Sequence, residues 1–122
     1  MKREKFESLV EEALADIPPK FKQLLDNITV QVDDFPSPEV LHSLGKRPGS
    51  MILGVYHGVP FPHRGPYYGN LPPDIIVIYQ KPIERICYSE EDIKETVRKV
   101  VRHEIGHYFG FDDKQLRELE ES

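Results

Sequence analysis

His103-Glu104-Ile105-Gly106-His107-Tyr108-Phe109-Gly110-Phe111-Asp112-Asp113 is the stretch that decides how this chain is read. On an α-helix, residues four apart differ by about 40° of rotation and one turn of rise, so His103 and His107 face the same point. A divalent ion such as zinc takes neutral imidazole nitrogens at about 2.0 Å and can sit at that point. Glu104 lies about 100° further round, within reach of a metal-bound water but off the ligand stripe. Two ligands plus a base is the chemistry this spacing serves. Gly110 can take a positive φ and end the helix. The chain then reverses, and Asp113 can swing back as a carboxylate ligand.

The longer pattern carries more weight than the short one. With five histidines and thirteen glutamates in 122 residues, the five-residue pattern arises in roughly 2 of 100 shuffled chains. Requiring Gly110, and an acid or histidine at position 113, lowers the figure to roughly 3 in 10,000. The competing reading is two ordinary helical histidines, a plain glycine cap, and acidic residues opening a last helix, where they are favoured anyway. Within that last helix Asp112 is the better cap, because Asp112 to Gln115 has capping-box spacing. Asp113 is then left for the metal.

Length and charge set the outer bounds. A chain of 122 residues reads as one domain over residues 1–122 with a modest core. A net charge of −5 and a pI near 5.5 offer no basic surface for nucleic acid. The single cysteine, Cys87, excludes an internal disulfide, reads as a small core residue, and fits a reducing compartment. The N-terminus reads Lys2-Arg3-Glu4-Lys5 without a following apolar run, so no signal peptide is expected. No stretch approaches about 18 apolar residues, so no membrane span is expected. A cytoplasmic protein follows from these readings.

Upstream of the motif, Phe6, Leu9, Val10, Ala13 and Leu14 recur at helical spacing and predict a helix over 3–15. Pro18 or Pro19 opens a short helix through Leu25, with Phe21, Leu24 and Leu25 inward. Ile28, Val30 and Val32 alternate with Thr29 and Gln31 as in a strand. Ser37-Pro38-Glu39 starts a short helix that Gly45 stops. Met51 to Tyr56 is a second strand candidate. Gly58 to Pro73 is rich in proline and glycine and predicts a long irregular loop, a length often tied to function. Ile75 to Tyr79 is a strand covered on both faces. Glu84 to Cys87 reads as more sheet or as a turn. Ser89, with Asp92 at the capping-box position, starts the helix whose stripe is Ile93, Val97, Val100 and Val101. Gln115 to Leu119 forms a short terminal helix. The sum is an α+β domain, with a small mixed sheet of about three to four strands packed on the metal-site helix.

The motif over residues 103–113 resembles that of the small bacterial zincin-like, or minimal, metallopeptidases. The likeness extends upstream through Leu53-Gly54-Val55-Tyr56, Tyr68-Gly69 and Pro73-Asp74-Ile75. It implies a zincin-like fold, one zinc ion on His103, His107 and Asp113, and Glu104 as catalytic base. Larger metzincins have histidine at the position of Asp113 and a later Met-turn, whereas Met1 and Met51 both precede the motif here.

The expected function is zinc-dependent hydrolysis of a peptide bond in a peptide or protein substrate, without nucleic acid or membrane as partner. Tyr67, Tyr68, Tyr79, Tyr108, His63 and Arg64 are candidates to stabilise the developing oxyanion, though tyrosine rings more often fill cores. His42 and His57 lack ligand spacing to the motif. Two alternatives stand beside this reading. One is a non-catalytic zinc-binding domain or inactive peptidase descendant, although a structural site has no use for Glu104 and usually closes with four ligands rich in cysteine. The other is a metal-dependent endoribonuclease similar to the bacterial ribosomal-RNA maturation family. That family has glycine where this chain has Glu104 and histidine where it has Asp113, and an acidic chain is a poor phosphate tracker.

Overall fold

The structure, a computed structural model, describes residues 1–23, 25, 28–58 and 74–121. Its elements run α1 (Arg3–Ala15), α2 (Pro19–Lys22), β1 (Ile28–Asp33), α3 (Pro38–Ser43), β2 (Gly54–His57), β3 (Asp74–Tyr79), α4 (Gln80–Ile86), α5 (Glu90–Phe109) and α6 (Asp113–Glu121). The architecture is α+β, with, among the described residues, a three-stranded mixed sheet in the order β1-β3-β2. β1 pairs with β3 in parallel, Ile28 opposite Asp74 through Asp33 opposite Tyr79. β2 pairs with β3 antiparallel, Gly54 opposite Ile78 through His57 opposite Ile75.

The central strand explains the two layers. Successive side chains of a strand point to opposite faces. Ile76 and Ile78 join the main core with Phe6, Val10 and Ala13 of α1 and Val97, Val101, Ile105 and Tyr108 of α5. Val77 and Tyr79 face the other way and pack with Val55, Ile52 and Val40. Both faces are therefore covered, as the unbroken apolar run predicts.

Local chemistry sets the helix ends. α3 begins where Ser37 Oγ accepts from the Val40 N–H at 3.1 Å, and it stops at Gly45, whose φ is 71°. α5 begins at Ser89, whose Oγ accepts from the Asp92 N–H at 3.1 Å. The Asp92 carboxylate reaches back to the Tyr88 N–H at 3.0 Å, one residue further than in a standard capping box. At its far end Gly110 is left-handed, with φ 68° and ψ 35°. The Phe111 N–H reaches the Gly106 carbonyl and the Gly110 N–H reaches the His107 carbonyl, each at 3.0 Å, which together make a Schellman closure. α6 is opened by a reciprocal capping box. The Gln115 N–H donates to Asp112 Oδ1 at 2.8 Å, and the Asp112 N–H donates to Gln115 Oε1 at 3.1 Å.

Three expectations are corrected. Residues 84–87 are neither sheet nor turn, because most of this stretch lies in α4. Pro82 sits in the first turn of α4, where a helix has no internal partner for its N–H groups, and Ile83 is buried beneath it. β2 starts at Gly54, not Met51. α2 ends at Lys22, short of Leu25. The loop expected over 58–73 falls, from residue 59, outside the described residues, as do Leu24, His63, Arg64, Tyr67 and Tyr68. Cys87 is half-buried against the core, its Sγ 3.4 Å from Thr96 Oγ1. No helix among the described residues is long and apolar enough to cross a membrane.

Candidate metal centre

α5 carries the motif on a rigid support. Val97, Val101 and Ile105 are buried on its core side, so the rotation of the helix is fixed and the neighbouring stripe through Val100, His103 and His107 lies at the border of the core. His103 and His107 are half-exposed on that stripe, and their ring centroids are 4.5 Å apart. The imidazoles converge as one helical turn of separation requires. Glu104, between them, is only 6% exposed.

These three side chains form the metal-capable group among the described residues, with one ligand atom from each all within 4.8 Å of one another. Each histidine also has a carboxylate on Nδ1. His107 Nδ1 is 3.0 Å from Glu104 Oε1, and His103 Nδ1 is 3.0 Å from Glu120 Oε1. An ionised carboxylate can only accept, so each neutral ring holds its proton on Nδ1 and keeps its Nε2 lone pair for a metal. Imidazoles so disposed, with carboxylates close by, are the donor types zinc takes. The residues present therefore fit the metal. The hydrogen bond that the His107 ring donates to Glu104 raises the His107 pKa above its ordinary 6.5, burial works against the rise, and the charges of Glu104 and Glu120 add to it.

Beside His103 and Glu104 lies a cavity of about 640 Å³. Ile52, Leu53 and Gly54 form one wall, Lys99, Val100, His103 and Glu104 of α5 form the floor, and Glu120 and Glu121 of α6 form the other wall. Gly54 allows the close approach of β2 to α5. A Cβ there would stand 2.8 Å from Val100 Cγ1, 3.1 Å from the Val77 carbonyl and 3.4 Å from Glu104 Cγ. Gly106 does the same for α6, because a Cβ there would collide with Leu116.

The structure brings His103, Glu104 and His107 together and leaves Asp113 outside their group. Asp113 is exposed at the first position of α6, immediately after the capping residue Asp112. His42 and His57 are exposed and stand apart from the group. Tyr79 and Tyr108 are buried core residues. Sequence reading missed Glu120, the packing role of Gly54 and the cavity. Glu120 lies 17 residues beyond its histidine partner, and only the reversal at Gly110 brings the two together.

A structure of a conserved hypothetical protein from Thermus thermophilus is similar in fold, with a TM-score of 0.59 and 23% identity over 89% of this chain and 94% of that one. No curated protein matches the chain. The sequence profile of the zincin-like metallopeptidases matches residues 25–122. On that match, over most of its length, the chain belongs to the zincin-like metallopeptidase family.

Proposed function

We propose that the protein is a zinc-dependent hydrolase that cleaves peptide bonds. The observation that carries this reading is a buried Glu104 between two converging imidazoles, at the floor of an open cavity beside a sheet edge. His103 and His107 hold the ion, and Asp113 is the proposed third ligand. Support for Asp113 is its place just beyond the Gly110 reversal, exposed and not consumed by the capping box. Zinc in such a site acidifies water towards pKa ~7 and polarises a carbonyl.

The remaining work falls to the chain. Glu104 takes the proton of the attacking water on a carboxylate oxygen and returns it to the leaving amine. Its burial among Gly54, Val100 and the helix stem keeps that carboxylate on station. Among the described residues β2 is an outer strand of the sheet, and it borders the cavity through Gly54. An extended peptide laid antiparallel along it would be held by main-chain hydrogen bonds.

Metal analysis and a peptide-library digest test the proposal together. The wild type is expected to carry about one zinc per chain, and His107→Ala to lose it. Glu104→Gln is expected to keep the metal and lose hydrolysis by about 10²–10⁴-fold. Wild-type protein that stays metal-free after reconstitution, or a Glu104→Gln variant as active as wild type, overturns it.

A further inference from the structure

We infer that Glu120 is a positioning carboxylate for His103, holding its Nδ1–H so that Nε2 is turned to the metal. The inference rests on the metal site proposed above and adds a residue that the motif does not contain.

The argument begins with how firmly Glu120 is placed. Arg102, the neighbour of His103, is 1% exposed, and its Nη1 donates to the Leu119 carbonyl at 2.6 Å. Leu119 is itself fully buried in the main core. One turn earlier, Leu116 fills the space above Gly106. The residue before Glu120 is thus fixed by the core and by a guanidinium that shares its helix with His103. Glu120 meets the ring at 3.0 Å from a scaffold that does not depend on their pairing.

Exposure indicates what the contact is for. The two side chains are 44% and 33% exposed, and an ion pair so open to water adds little to folding. A carboxylate on the distal nitrogen of a metal-binding histidine has another effect. It selects the tautomer and holds the ring plane, and its loss typically costs about 10–100-fold in metal affinity.

The test compares Glu120→Ala, Glu120→Gln and the exposed control Glu118→Ala with wild type. Zinc affinity is read by chelator competition, and the tautomer of His103 by ¹⁵N NMR on metal-free protein. Glu120→Ala should bind zinc about 10–100-fold more weakly and move His103 towards the Nε2–H form. Glu120→Gln, whose amide oxygen can still accept from Nδ1, should recover most of both. Glu118→Ala should match wild type, and circular dichroism should show all three variants folded. Wild-type affinity in a folded Glu120→Ala overturns the inference and leaves the metal site standing. So does a Glu120→Gln as weak as Glu120→Ala with an altered Co²⁺ absorption spectrum, because Glu120 is then a direct ligand. Absence of zinc binding in wild type defeats the parent proposal instead.

Discussion

Gly54→Ala tests the contact between β2 and the metal-site helix. The added methyl would lie 2.8 Å from Val100 Cγ1 and 3.1 Å from the Val77 carbonyl. Neither neighbour yields easily. A helical valine has essentially one χ1 rotamer, and the carbonyl belongs to the central strand. Overpacking of this kind costs about 1–3 kcal/mol. Replacing glycine stiffens the unfolded chain and returns about 0.5–1 kcal/mol. At the middle of both ranges the net destabilisation is about 1.25 kcal/mol. At about 2.1 cal/mol/K per residue, a 122-residue chain unfolds with an entropy near 0.26 kcal/mol/K. The melting temperature should fall by about 5 °C in calorimetry. Val100→Ala, by removing the opposing methyl groups, should lower the cost of Gly54→Ala when the two are combined, a coupling of about 0.5–3 kcal/mol. A Gly54→Ala protein that melts at or above wild type, with additive behaviour in the double variant, would refute the close approach of β2 to α5.

Three further outcomes are expected. Gly110→Ala forces an L-residue into φ 68° and ψ 35°, costing about 1–2 kcal/mol or about 4–8 °C in calorimetry. Asp113→Ala should leave the fold intact and weaken zinc binding by at least about 10-fold, and unchanged affinity in chelator competition removes it from the ligand set. Asp16 is held below its ordinary 3.8, first by its hydrogen bond to Arg98 and further by the charges of Arg98 and Arg102, against a desolvation cost. A depressed carboxylate contributes stability above its unfolded pKa and loses it as pH falls through the folded value. Urea midpoints of wild type should therefore drop more than those of Asp16→Asn as pH is taken below about 4, and parallel drops would contradict the pairing.

Much of this fold is legible because its local signals agree. The spacing of Phe6, Val10 and Ala13 defines α1 over the full span observed. Ser37 and Gly45 bracket α3, and Ser89 and Gly110 bracket α5, each through the hydrogen bond or backbone angle its residue type favours. The capping box of Asp112 and Gln115 is readable from two letters. What escapes the sequence is decided by distant neighbours. α4 carries no helical periodicity. Its buried Gln80 is satisfied by Arg3 at 2.9 Å, a residue 77 positions away. The need for glycine at position 54 arises only once β2 meets Val100. Glu120 looks like one surface acid among thirteen glutamates until the last helix folds back on His103.

Arg102 also joins parts of the chain that a view of the cavity would not connect. Its guanidinium reaches the Asp16 carbonyl, 86 residues upstream, and the Leu119 carbonyl, 17 residues downstream. It works as a common rivet for the end of the first helix and the acidic wall beside the imidazoles. Changes in the loop after α1 therefore have a mechanical route to the metal ligands, and variants selected there can retune the site without altering any residue that lines it.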